Sequence, residues 1–140
     1  MPERREAGLS VIAIDLDHFK AINDFHGHDT GDRVLQRFSD LVRANLRDDA
    51  LFARMGGEEF AIVITEGGME AARRLAERVR ALVQKMEFTP SSGRPVRVTV
   101  SLGVATRRDP EQTFADLMRS ADEALYAAKH AGRNRVALFD

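Results

Sequence analysis

The sequence contains no cysteine. Disulfide bridges and thiolate metal sites are therefore excluded, and the chain suits a reducing compartment. It also lacks an excess of either charge: 21 Lys and Arg face 22 Asp and Glu, for a formal net charge of -1. A nucleic-acid polymer as partner asks for a basic excess, so that class is disfavoured, while a local basic cluster can still hold a single nucleotide. No apolar run reaches signal-peptide or membrane-span length, so the expectation is a soluble, cytoplasmic chain with no membrane segment. Internal repeats and low-complexity stretches are absent as well. With 140 residues, 44% of them hydrophobic and 31% charged, there is material for one core, and residues 1–140 are expected to form a single domain.

The order of apolar patterns gives the architecture. Leu9 to Asp15 reads as a buried strand ending in a carboxylate, followed by a polar stretch in which Phe19 to Phe25 suits a short helical piece. From Asp32 the pattern is helical, with Val34, Leu35, Phe38, Leu41, Val42 and Leu46 on one face. Leu51 to Met55 and Glu59 to Thr65 flank Gly56-Gly57 as a β-hairpin. A second helix follows Gly67-Gly68, then a Pro, Ser and Gly loop over 90–95, then one long alternating strand from Val96 to Thr106. Thr113 with Asp116 resembles an imperfect capping box opening a third helix, Gly132 fits its C-terminal cap, and Arg135 to Phe139 reads as a last strand. Hairpins mixed with helices predict an α+β fold, with helices packed against a largely antiparallel sheet.

Several short stretches could carry chemistry. In Arg54-Met55-Gly56-Gly57-Glu58-Glu59-Phe60, two glycines bend the hairpin and two adjacent carboxylates stand at its exit. Taken alone, this is also a plain Gly-Gly turn with solvated acids. Asp15-Leu16-Asp17 closes the first strand; if that strand pairs beside the hairpin, Asp15, Glu58 and Glu59 converge, and a self-repelling carboxylate cluster suits a hard divalent cation. Taken alone, Asp15 is equally a turn or helix N-cap residue. Backbone N–H groups at Phe19 and Lys20 could cradle phosphates, unless Phe19 is core and Lys20 merely solvated. Lys129 and Arg133, four apart near the end of the last helix, lie on one face and could clamp phosphates, or simply place cations at a helix C-terminus.

Together these residues resemble the GGDEF family, whose name is the hairpin motif, here Gly56-Gly57-Glu58-Glu59-Phe60. The likeness extends over Asp15-Leu16-Asp17-His18-Phe19-Lys20, Asn23-Asp24, Gly27-His28-Asp29, Gly31-Asp32, Ser101-Leu102-Gly103-Val104, Ala121-Asp122-Glu123-Ala124-Leu125-Tyr126, and Lys129 through Gly132-Arg133-Asn134. It implies a fold related to nucleotide cyclases and polymerase palms. It implies a diguanylate cyclase that condenses two GTP into cyclic di-GMP and pyrophosphate with Mg2+, Mn2+ being a possible substitute, across a homodimer. By position, Asp15, the Leu16 carbonyl, Glu58 and Glu59 would hold the metal, and Glu58 would help deprotonate the attacking 3′-hydroxyl. Asn23 and Asp32 would read the guanine edge with His28 and Leu35 close by; the N–H groups of Phe19 and Lys20 and the side chains of Lys129 and Arg133 would bind phosphates. An upstream sensor domain in a parent protein is implied too. The alternatives are a catalytically silent receptor for GTP or cyclic di-GMP, a mononucleotide cyclase and a pure interaction module; the intact acids and cations argue for the enzyme.

Two departures stand out. Many family members carry Arg-x-x-Asp as a product-inhibition site five residues before the Gly-Gly pair. Here the stretch is Arg47-Asp48-Asp49-Ala50, so Arg47 is retained but Ala50 replaces the aspartate, and inhibition at this site is expected to be weak or absent. Arg74 and Arg78 resemble secondary product contacts, with a solvated helix face as the preferred reading. The helical segment that usually precedes the first strand is expected to be lacking, which would bear on GTP binding and dimer geometry.

Overall fold

A computed structural model describes residues 8–90 and 93–140. The elements in chain order are β1 (Ser10–Leu16), α1 (Phe19–His26), α2 (His28–Ala44), β2 (Leu51–Gly56), β3 (Glu59–Ile64), α3 (Gly68–Lys85), β4 (Glu87–Phe88), β5 (Val96–Arg97), β6 (Val100–Thr106), α4 (Phe114–His130) and β7 (Val136–Leu138). Five strands form one sheet in the order β2-β3-β1-β6-β7, antiparallel except for the β6–β7 pair. The α+β expectation holds. The expectation about a missing N-terminal helical segment falls on residues outside those described.

Strand parity decides what each face meets, because alternate residues point to opposite sides. On β1, Ile12, Ile14 and Leu16 join Val34 and Phe38 of α2 and Val79 and Val83 of α3 in the larger core cluster. Val11 and Ala13 join Leu117, Ala121 and Leu125 of α4 in a second cluster on the other face. The sheet is therefore covered on both sides, and Asp15, in step with Val11 and Ala13, points to the α4 side. Gly103 on β6 allows the closest approach of α4: a methyl group there would overlap the backbone of Ala121 and Leu125. Phe38, Phe52 and Phe60 meet ring to ring, with Phe38–Phe60 centroids 4.9 Å apart, and so tie α2 to the hairpin.

The structure corrects three expectations. The helix expected from Asp32 begins at His28, four residues earlier, because the polar first turn carries no apolar stripe to betray it. The long strand expected over Val96 to Thr106 is broken: Val96–Arg97 pairs with Glu87–Phe88 in a separate small hairpin, and Val100 starts β6. The break falls where the Thr99 carbonyl and hydroxyl turn to Asp17, accepting its N–H and donating to its carboxylate. Third, Lys129 and Arg133 do not share a helix face, since α4 ends at His130 and Arg133 lies beyond it with a left-handed φ of 63°. The capping box at Thr113 is complete, with both reciprocal bonds at 3.1 Å.

Candidate active site

The β2–β3 hairpin turns through Gly57 and Glu58. Gly57 has a φ of 45°, a region that favours glycine, and the register shifts between Arg54 and Gly56. The Arg54 Nε donates to the Gly57 carbonyl at 2.8 Å and so braces the turn from within. Antiparallel pairing of β1 with β3 sets Asp15 directly opposite Glu59, and the Leu16 N–H donates to the Glu58 carbonyl at 3.2 Å. Partners in an antiparallel register share a face. Asp15 and Glu59 therefore share one rim of the sheet, the pairing that the sequence made the condition for these acids to converge, and the charge of Glu58 in the adjoining turn acts on Asp15 as well.

Asp15 is the buried member, 5% exposed, while Glu59 is open to solvent. Burial pushes the Asp15 carboxyl above the usual aspartate range. The Lys129 ammonium, reaching across from α4, opposes that shift by bonding one carboxylate oxygen, and the negative charges of Glu58 and Glu59 reinforce it. Asp15 Oδ1 is buried with no partner. An orphaned carboxylate oxygen beside two further acids is what a hard divalent cation needs, and a buried polar atom otherwise demands a partner. Among the described residues no three acidic or imidazole side chains close a cage by themselves. The donor set fits a cation completed by oxygens from a phosphate ligand, as magnesium commonly is.

The other candidates fall in two places. The first is the start of α1. His18 adopts a left-handed φ of 56°, no side chain caps the helix, and its first internal bond is Ile22 N–H to the His18 carbonyl. The N–H groups of Phe19 and Lys20 are thus free of helical bonds. The Phe19 ring is core and Lys20 is exposed. The second place is a cleft of about 370 Å³ between α2 and the hairpin, lined by Asp32, Leu35, Gln36, Ser39, Arg54 and Phe60. Sequence reasoning missed Gln36 and Ser39, whose polar side chains carry no motif signal, and quoted Arg54 with the hairpin stretch without giving it a place in a cleft. Asn23 and His28 do not line this cleft. Asn23 lies against Gly31 on the neighbouring helix, its Oδ1 buried and unpartnered, and His28 is exposed at the start of α2.

The retained Arg47 pairs with Asp49 at 3.6 Å, the residue one place out of the expected register. With Ala50, Arg74 and Arg78 it rims a separate cavity of about 300 Å³ floored by Ile64, Ala71 and Leu75. Arg74 and Arg78 are exposed, as expected, yet they face this cavity together rather than bulk solvent alone.

Asp17 was not anticipated as a hub. Its carboxylate accepts from Thr99 Oγ1 and Ser101 Oγ at 2.7 Å and from the Asn134 N–H at 3.0 Å. The residues that meet it lie 82 to 117 positions away in the chain, beyond the reach of any local pattern.

Comparison with known proteins places this chain in a family. The Escherichia coli protein DosC, a diguanylate cyclase, is 42% identical over 131 residues, covering 94% of this chain and 28% of that protein. The response regulator PleD of Caulobacter vibrioides is 42% identical over 129 residues, covering 91% of this chain and 28% of its own length. The chain thus spans less than a third of these relatives. Among solved structures, the GGDEF domain of DgcB from Caulobacter crescentus, in complex with c-di-GMP, superposes with a TM-score of 0.92 at 33% identity, over 99% of this chain and 81% of that one. The model of the diguanylate cyclase GGDEF domain matches residues 2–135, and the chain belongs to that family.

Proposed function

We propose that this domain is a diguanylate cyclase, joining two GTP molecules into cyclic di-GMP with release of pyrophosphate, and that Mg2+ is its metal, with Mn2+ able to substitute. The observation that carries the reading is Asp15: a buried carboxylate with one oxygen unpartnered, set opposite Glu59 and beside the hairpin turn that holds Glu58. A Vibrio cholerae relative at 38% identity and TM-score 0.86, over 94% of this chain and 83% of its own, is the active GGEEF domain of a diguanylate cyclase, the same motif as Gly56 to Phe60.

Asp15, the Leu16 carbonyl, Glu58 and Glu59 would hold the metal, which when bound supplies positive charge for the phosphate oxygens and lowers the cost of ionising the attacking hydroxyl. The chain's own residues do the rest. Glu58 takes the proton of the 3′-hydroxyl as it attacks the α-phosphorus of the opposite GTP. The N–H groups of Phe19 and Lys20, with Lys129 and Arg133, hold the phosphates in line, which is most of what phosphoryl transfer asks of a protein. Asp32 accepts from the guanine ring N–H and amino group together, and Asn23, with His28 and Leu35 nearby, contacts the same base. Adenine lacks that donor pair and would leave the carboxylate unpaired.

A symmetric product from one nucleotide per domain requires two copies face to face, so the working form is a homodimer. In a longer parent protein an upstream sensor domain would control that pairing. GTP supply places the reaction in the cytoplasm; among the described residues no helix is long and apolar enough to cross a membrane. The test is pyrophosphate release. It should need a divalent cation, occur with GTP and not ATP, and rise with the square of domain concentration while the dimer is sparse. Equal release from ATP, or release without metal, would overturn the reading.

A further inference from the structure

The turn that follows α4 runs through three consecutive residues with positive φ: Gly132 at 127°, Arg133 at 63° and Asn134 at 48°. Glycine accepts this freely and asparagine tolerates it, but arginine is disfavoured there. Such a conformation persists only when its surroundings over-determine it, and it clusters at working sites. Here the surroundings are explicit. The Arg133 N–H donates to the Ala128 carbonyl at 3.1 Å, closing a Schellman-type end to the helix. Arg80 of α3 donates from Nη1 to Asn134 Oδ1 at 3.0 Å, and the Asn134 N–H donates to Asp17 Oδ2 at 3.0 Å.

Asp17 is 5% exposed, and both of its carboxylate oxygens are engaged. It differs in this from Asp15, two residues earlier in the chain and still within β1, whose Oδ1 is left free. An acid with both oxygens committed to protein donors is built to hold structure. Resting on the reading of Arg133 as a phosphate ligand, we propose that Asp17 is a positioning residue: it latches the Asn134 backbone, and so holds the strained Arg133 turn beside the metal-binding end of β1. The carboxylate joins the turn after β1, the start of β6 and the turn after α4, the three segments that must keep one geometry for phosphate and metal to meet.

The test is a double-mutant cycle on binding of a non-hydrolysable GTP analogue with magnesium, using Asp17→Asn, Arg133→Met and the pair. Each single change should weaken binding about tenfold, and the pair should also lose about tenfold, because the two act through one contact. A hundredfold loss in the pair, or no loss in Asp17→Asn, would overturn the latch. Mn2+ binding without nucleotide, followed by electron paramagnetic resonance, should be unchanged in Asp17→Asn and lost in Asp15→Asn. Loss in both would make Asp17 a metal ligand instead. If Asp17→Asn does not fold, Asn134→Val answers the same question from the other side. A β-branched residue resists this φ, so nucleotide binding should again fall about tenfold, and unchanged binding would overturn the proposal. Were the wild type to bind no nucleotide, the cyclase reading would fall; hydrogen exchange at the Asn134 amide would still judge the latch. Exchange at least a hundredfold faster in Asp17→Asn supports it, and unchanged exchange overturns it.

Discussion

Burial and neighbouring acids hold the Asp15 carboxyl above its ordinary value of 3.8, even with Lys129 bonded to it. A carboxyl whose folded value is raised binds its proton more tightly in the native state. Its contribution to stability is fully present below the unfolded value and is lost as pH rises through the raised one. Metal-free protein should therefore lose stability across that window, and Asp15→Asn should flatten the loss. Thermal melts in a chelator from pH 3 to pH 8 check this; parallel curves for the two proteins would contradict it. Gly31 offers a second test at this scale. A methyl group there would overlap the Asn23 side chain, while alanine in place of glycine favours the helix by about 1 kcal/mol. Gly31→Ala should fold well yet bind GTP about tenfold more weakly, since displacing one buried hydrogen-bonding group costs on the order of 1–1.5 kcal/mol. Calorimetric titration with GTP reads it. The two acids that the sheet sets opposite each other, Asp15 and Glu59, were legible because each sits in a short motif. The partnership of Asp15 with Lys129 was not, since it joins residues 114 positions apart, from 15 to 129.

Among the elements, the β6–α4 contact leaves no room for a side chain at Gly103. Gly103→Ala drives a methyl into helix backbone, which cannot move as a side chain would, and should destabilise the domain by about 1–3 kcal/mol or more. A fall in the denaturant midpoint with unchanged slope is the expected signature; an unchanged midpoint would mean that α4 can shift away freely. Element types were legible wherever an apolar stripe or alternation announced them, as in β1, α3 and α4. They were illegible where the deciding contact was distant. Alternation runs from Val96 to Val104, yet the chain divides into two strands where Thr99 turns to Asp17 and Val96–Arg97 pairs with Glu87–Phe88. Likewise the polar first turn of α2 is helical because α1 packs beside it, with Asn23 against Gly31, and not because of its own pattern.

At the scale of the whole molecule, one cavity gathers the residues that the sequence tied to product inhibition. Arg47, Arg74 and Arg78 rim one cavity, but Ala50 offers no acid there and Asp49 is turned to Arg47. Ala50→Asp should strengthen cyclic di-GMP binding, read as a lower dissociation constant; an unchanged affinity would show that the missing acid is not what weakens the site. The overall α+β arrangement was legible from the order of patterns. The covering of the sheet on both faces was not, because strand parity matters only once the pairing is known. The most direct measurement is chromatography of the domain incubated with GTP and magnesium, beside a Glu58→Gln, Glu59→Gln double variant. Cyclic di-GMP and pyrophosphate from the wild type alone is the expected result. No cyclic di-GMP from a wild type that still binds GTP, or equal product from the double variant, would contradict the assignment of cyclase chemistry to the hairpin acids.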